Sequence, residues 1–399
     1  MVNRMPEDPM VKNVVNMIRG AQMDRRRLLK GAMLGAAGLG TLGLSACAGG
    51  SDANGVTWGN WTYYLDFDEE TGGFGSLDRF TEETGMKVTY IEDIDDNNTF
   101  YGKIKDQLKQ NQYTGYDVIT FTDWMNARLL EANQIQEFDY ANLPNVKSNM
   151  VEAQWDALDV DPGRQFTIPW QLPASGWVWN TEAVPKGIKE LNDFMRPELK
   201  GKVGVLTEMR DTMGMILAGL GYDPSGDWGD KEYDEALAWL DDGLQSGQIK
   251  NVKGNSYTQD LQTGDTLVAM AWTGDVIMMN TEEPDGPKWT MEIPESGGMI
   301  AADSFTVPNG TDPEAKKRVE ELINFYYQPE VMADVANYVT FVPPVAGTQE
   351  AMRKLHPENA ENPLIFPTET DWKHLHSFRT LSAEEDKKYS TAFQNVLGL

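Results

Sequence analysis

From Val56 onward, apolar positions alternate between a strand rhythm and a helix rhythm. Val56 to Trp61 reads as a short buried strand. Leu77, Phe80 and Thr84 have helical spacing that stops at Gly85. Lys87 to Ile91 alternates like a strand, and Phe100, Ile104 and Leu108 recur four apart, as on a helix. Asp117 to Thr122 reads as another strand, followed by Trp124, Leu129 and Leu130 on a helix. A second series begins with a strand from Lys202 to Leu206, the polar turn Thr207 to Asp211, and an apolar helix from Met213 to Leu220 ending at Gly221. Thr266 to Trp272 is a strand running into Thr273-Gly274-Asp275, and Ala302 to Val307 reads as a return strand. Val319, Leu322, Ile323 and Tyr326 mark an amphipathic helix closed by Pro329. Between the two series, Ile168 to Asn180 is aromatic, extended and broken by Pro169 and Pro173. It reads either as a bulged buried strand or as a strand crossing between two lobes. The alternation predicts an α/β protein with a mostly parallel sheet covered by helices. In such sheets ligands sit beyond the carboxyl ends of the strands.

Composition narrows the chemistry. The 399 residues include 34 basic and 62 acidic ones, a net charge of −28. That balance counts against nucleic acid, which needs a basic patch to release counterions, and against anionic membrane surfaces. Twelve Trp and 14 Tyr argue for a packed body rather than disorder. One cysteine excludes a disulfide framework and multi-cysteine metal sites. Three histidines (His356, His374, His376) leave little room for a histidine metal centre and read as surface residues. No Walker-type loop or Gly-x-Ser-x-Gly elbow is present and no cofactor is expected, while paired carboxylates would still suit a glycosidase.

Residues 1–46 read as an address rather than as structure. Asp24-Arg25-Arg26-Arg27-Leu28-Leu29-Lys30 precedes a Gly/Ala/Leu run too short for an ordinary spanning helix. The segment resembles a twin-arginine export signal, with Asp and Leu where Ser and Phe are usual. Its end, Leu44-Ser45-Ala46-Cys47, resembles a lipoprotein processing site, which implies lipidation of Cys47. The alternative is a buried Gly/Ala helix with an incidental cysteine. Met23 offers a second start. Residues 47–55 then form a flexible tether, and the body after residue 46 carries 27 basic and 59 acidic residues, or −32.

Carboxylates recur just past predicted strand ends: Asp123, Glu208 with Asp211, Asp275 and Asp303. Trp61, Tyr64, Trp124, Trp272 and Phe341 stand beside them. Acids with aromatic faces suit an ammonium ligand. Each nitrogen gains a charge-assisted hydrogen bond, and methylenes or cations lie on the ring faces. Taken singly, each residue has a plainer explanation. Asp123 and Asp211 precede helical runs and would serve as N-caps, and a Trp ending a strand is commonly core.

Together the motifs resemble the extracytoplasmic polyamine-binding proteins of spermidine/putrescine ABC importers, over nearly all of the chain after the signal. Asn60-Trp61-Thr62-x-Tyr64 is similar to the family's first ligand loop, and Phe80-Thr81-x-Glu83-Thr84-Gly85-x-Lys87-Val88 to the following helix and strand. Leu206-Thr207-Glu208-Met209-Arg210-Asp211 resembles a turn with two acids flanking x-Arg. Trp272-x-Gly274-Asp275 and Gly297-Gly298-(x)4-Asp303-Ser304 resemble segments that bring a stacking Trp and amine-binding aspartates. Ile323-Asn324-Phe325-(x)3-Pro329 resembles the late helix of the wider superfamily.

The resemblance implies a two-lobed periplasmic-binding-protein fold, type II-like, with a ligand cleft between lobes that close by a hinge. It implies an N-terminal lobe of residues 56–172 and 300–348, and a C-terminal lobe of residues 173–299 and 349–399. Trp61, Thr62 and Tyr64 would meet the ligand from the first lobe, and Asp303 would bind one amine. Asp211, Asp275 and Glu208 would hold other amines, with Trp272 against the carbon chain. Asp123 falls where the family has a small hydroxyl or an aromatic residue, and Phe341 at an aromatic contact. Departures are Tyr63 in place of an acid, Ala301 where a second Trp stacks, and Lys373 near a late amide contact. The implied partners are a polyamine and ABC permease subunits. The membrane would be met only through the lipid anchor, by a monomer outside the cell membrane. Two other readings remain open: a carrier for a sugar or another organic cation, and an exported glycoside hydrolase with two carboxyl groups across an open groove. Paired tyrosines, as in ferric-ion carriers, exist at Tyr326-Tyr327 but read as part of the amphipathic helix.

Overall fold

The computed structural model describes residues 54–68, 71–281, 283 and 286–398. The expected export signal and Cys47 lie outside them. Two sheets carry the body.

The first sheet starts at β1 (Gly55–Trp61), which is buried along nearly its whole length, as a strand covered on both faces must be. A short hairpin, β2 (Phe67–Asp68) and β3 (Gly73–Phe74), leads into α1 (Gly75–Thr84). That helix stops at Gly85, which takes the left-handed conformation at φ 74°. β4 (Lys87–Ile94) follows, and Asp96 caps α2 (Asn97–Lys109) by accepting from the Thr99 N–H. Phe100, Ile104 and Leu108 form the buried stripe of α2. β5 (Val118–Thr122) runs directly into α3 (Asp123–Glu131). After α4 (Pro144–Asn149) comes β6 (Thr167–Gln171).

The chain then passes into the second sheet within two residues. Leu172 and Pro173 separate β6 from β7 (Ala174–Asn180), and β7 is wholly buried. Ile168 to Asn180 is therefore two strands in two sheets. β8 (Val203–Leu206) leads to α5 (Met209–Gly219), and α6 (Asp230–Gln245) to β9 (Ile249–Lys253). Then come α7 (Tyr257–Thr263), β10 (Val268–Trp272), α8 (Thr273–Thr281), β11 (Trp289–Glu292) and β12 (Gly298–Ile300). Ala301 and Ala302 carry the chain back to β13 (Asp303–Thr306) in the first sheet. α9 (Pro313–Tyr326), α10 (Pro329–Val339) and α11 (Thr348–Leu355) follow. The chain then returns through α12 (Glu369–Trp372) to β14 (Leu375–His376) in the second sheet and ends in α13 (Ala383–Leu397).

The first sheet has the order β4-β1-β5-β13-β6. The second has the order β14-β12-β7-β10-β8-β9, with β11 also on β7. In each sheet, among the described strands, only the strand entering from the other sheet runs against its neighbours: β13 in the first and β7 in the second. The fold is α/β and two-lobed, with each sheet mostly parallel. The first lobe's core is an aromatic cluster of Trp58, Trp170, Phe305 and Tyr326, with ring centroids 5.0–5.6 Å apart. Tyr326 and Tyr327 are both buried, and Tyr327 donates to the Pro169 carbonyl, so this pair is core. Among the described residues no helix is long and apolar enough to cross a membrane.

Candidate functional site

The carboxyl ends of β1 and β5 meet those of β8 and β10 across a cleft between the lobes. On the first-lobe wall, Asp303 opens β13 and is buried. The Tyr64 hydroxyl donates to its Oδ2 and the Thr122 hydroxyl to its Oδ1, each at 2.6 Å. Thr122 in turn accepts from Asn97 Nδ2 at 2.9 Å. Burial pushes the Asp303 carboxyl up to about 7; the two hydroxyls oppose the rise, and Asp123 and Asp211 add to it. Trp61 is pinned by its indole N–H on the Thr120 carbonyl, and Tyr64 meets Phe341 edge-on at 5.3 Å.

On the second-lobe wall, Asp275 lies in the first turn of α8 and accepts from the Tyr257 hydroxyl at 2.9 Å. The same phenol oxygen accepts the Trp272 N–H, which locks Tyr257 in place. Burial raises Asp275 to about 7. Asp211, in the first turn of α5, is raised by burial to about 6 and accepts from the Trp272 indole N–H at 3.3 Å. Trp272 faces Trp61 across the cleft at 6.2 Å and 67°. Among the described residues neither Asp275 nor Asp303 has a cation within ion-pair distance, and Arg210 only weakly offsets Asp211. Buried carboxylates held only by neutral donors stay charged at the expense of stability, so this cavity wall favours a cationic guest.

The other expected site residues are placed differently. Asp123 forms an ion pair with the fully buried Arg164 at 2.8 Å and accepts from the Ser304 hydroxyl at 2.6 Å. Its charge is matched within the protein, so it shapes the wall beside Asp303 instead of offering a free anion. Glu208 is pushed by burial to about 8, and its Oε1 accepts both the backbone N–H and Nδ2 of Asn97 at 2.9 Å. Asn97 belongs to the other lobe, so Glu208 bridges the lobes. Thr62 stands at the mouth, where its carbonyl accepts from Asn255 Nδ2 at 3.3 Å. With Tyr63, Gln259 and Met278 it lines a cavity of about 200 Å³ that reaches Asp275. The N-cap explanation fails on position. The caps of α3 and α5 are Thr122 and Glu208, and Asp123 and Asp211 sit inside the first turns.

Sequence reasoning missed Tyr257, Thr122, Asn97 and Arg164. Tyr257 carried a usable signal, because it opens the helix after β9 at another strand end. Thr122 also closes a strand, but a threonine beside Asp123 draws no attention. The partnership of Asn97 with Glu208, 111 positions apart, leaves no trace along the chain. Among the described residues no group of three His, Cys, Asp or Glu side chains is placed to hold a metal ion.

Comparisons with known proteins bear on the family and the fold. The Spermidine/putrescine-binding periplasmic protein of Escherichia coli (strain K12) is 28% identical over 335 residues, 83% of this chain and 88% of that protein. The putrescine-binding periplasmic protein PotF of the same organism is 25% identical, over 84% of this chain and 90% of that protein. A putative spermidine/putrescine ABC transporter structure from Listeria monocytogenes superposes with a TM-score of 0.71 at 23% identity, over 86% of this chain and 99% of that one, which shows the shared fold. Residues 76–367 match the family described as bacterial extracellular solute-binding protein, and the chain belongs to that family.

Proposed function

We propose that the protein captures a polyamine of the putrescine–spermidine class between its lobes and hands it to the permease of an ABC importer. One observation carries the reading. Asp303 and Asp275 stand on opposite lobes, Asp275 lining the cavity and Asp303 behind Tyr64, each buried, each held by a tyrosine hydroxyl, and neither neutralised by a protein cation. Two ammonium groups on a flexible methylene chain answer that arrangement. Each nitrogen takes a charge-assisted hydrogen bond, and the methylenes lie along the aromatic wall that Trp61 and Trp272 form by their edge-to-face contact. Asp211 adds a third acid beside Trp272, and Tyr64 with Phe341 closes the aromatic wall. The relatives' names, spermidine/putrescine-binding and putrescine-binding, support the same class.

On this reading the ligand leaves unchanged, with no cofactor. Residues 56–172 and 301–366 form one lobe and the remainder of the body the other: the expected boundaries at 300 and 348 shift because Ile300 still pairs in the second sheet, and Ala351, Met352 and Ile365 pack on Ala333 and Ala336 of α10. The chain is exported by its arginine-rich signal and held outside the cell membrane through a lipid on Cys47. A sugar would leave both carboxylates buried without a counter-charge, which disfavours the sugar-carrier alternative. The test is a thermal-shift panel of putrescine, spermidine, spermine and neutral sugars. A ligand that binds the native state raises the melting point by mass action. Polyamines are expected to raise it and sugars to leave it unmoved. A shift with sugars, or none with any polyamine, would overturn the reading.

A further inference from the structure

Outside the cleft, a second set of charged residues joins the lobes. Arg128 lies on α3 of the first lobe, and Arg210 on α5 and Asp386 on α13 of the second. α13 belongs to the second lobe by its packing: Tyr389 stacks on Tyr233 of α6 at 4.3 Å and donates to Asp230. Arg210 Nη2 bonds Asp386 Oδ1 at 2.9 Å within that lobe, and Arg128 Nη2 reaches across to Asp386 Oδ2 at 2.8 Å. The indole of Trp124, also on α3, takes both guanidiniums, Arg210 at 4.2 Å from across the gap and Arg128 at 5.0 Å. Burial pushes the Asp386 carboxyl up, but Arg210 and Arg128 outweigh it and hold it below the ordinary value.

We infer that Arg128 and Asp386 form a clasp that holds the lobes closed over the ligand without touching it. The inference rests on the reading that ligand is held by lobe closure. The clasp has two stable settings. When the lobes part, Asp386 keeps Arg210, and Arg128 keeps the Asn98 side-chain oxygen at 3.0 Å and the Trp124 face. Opening therefore strands no charge, and closing gains the Arg128–Asp386 bond and the Arg210–Trp124 contact. The helices that carry Arg128 and Arg210 begin at the cleft, at Asp123 and beside Glu208. Closure around a ligand brings the clasp together, and the clasp slows reopening.

The test is stopped-flow spermidine binding to full-length wild type, R128Q, D386N and the double variant. A positioning role predicts a dissociation rate about tenfold faster in R128Q, with the association rate changed less than about twofold. The ligand-free melting point of R128Q should match wild type, because Asp386 retains Arg210. R128Q should add nothing further in the D386N background, the mark of a shared bond. An unchanged dissociation rate in R128Q, or penalties that add, would overturn the clasp. If no polyamine binds, the functional reading fails separately and the clasp is read by distance. Nitroxide labels at Lys105→Cys and Asp234→Cys, in a Cys47→Ser full-length chain, should show a longer or broader interlobe distance in R128Q. An unaltered distribution would overturn it.

Discussion

Replacing Asp303 by asparagine removes a charge from the cleft and almost nothing else. The amide oxygen can still accept one hydroxyl, and the amide N–H can donate to the oxygen of the other, so the bonds to Tyr64 and Thr122 have substitutes. The loss is the ion pair with the ligand ammonium. For a buried, hydrogen-bonded charge pair that is about 2–4 kcal/mol, or roughly 30- to 1,000-fold in Kd. The sign with pH follows from the raised carboxyl. With a native value of about 7 against 3.8 for the free side chain, Asp303 binds an ammonium strongly only after it ionises. At pH 8 wild type is largely ionised and the full penalty of D303N appears. At pH 6 only about one-tenth of wild type is ionised at this site, so its own affinity is about tenfold weaker and the mutant-to-wild-type ratio shrinks by that factor. Asp275 titrates alike in both proteins and cancels from the ratio. Ligand-free stability moves the other way. Between pH 4 and 7 the native state holds a proton that the unfolded chain has lost, so wild type loses stability as pH rises through that window, by up to about 4 kcal/mol at this site. Ligand-free D303N should therefore be at least as stable as wild type at pH 8. Titration calorimetry with spermidine at pH 6 and 8, with melting curves, checks both. A ratio flat in pH, or a Kd near wild type at pH 8, would refute the reasoning.

Two further perturbations test the frame around the site. A Cβ on Gly254 would lie 2.2 Å from the Asp95 carbonyl of the other lobe, so Gly254→Val should prop the lobes apart. Polyamine affinity is expected to fall at least about tenfold while the ligand-free melting point stays near wild type, since each lobe's core is untouched. Arg164→Met leaves Asp123 buried without its partner and should destabilise the protein by about 3–5 kcal/mol at neutral pH, read by urea unfolding; Asp123→Asn in the same chain should restore part of that loss.

Local rules carried far along this chain. β1 reads as a buried run because it is buried, and α1 stops at Gly85 because glycine takes the left-handed cap conformation without steric cost. The rule that ligands sit past strand ends pointed to Asp211, Asp275 and Asp303. It fails to separate these from Asp123 and Glu208, because what distinguishes them is a partner distant in sequence: Arg164 for Asp123 and Asn97 for Glu208. The stretch Thr207 to Asp211, expected to be a turn, is helical from Met209. Arg210 and Asp211 look out of place at the start of an apolar helix until Asp386 and Trp272 supply their partners. The same holds for Tyr257, whose hydroxyl is used only because α7 and α8 pack together.

The central claim is that two raised carboxyls on opposite lobes give up their protons to receive ammonium groups. Calorimetry of spermidine or putrescine binding at pH 7, in two buffers of different ionisation enthalpy, counts those protons directly. With Asp275 and Asp303 each half-protonated at about 7, binding should release about one proton per ligand. Binding that releases none or takes protons up, or an absence of binding by either polyamine, would contradict the account.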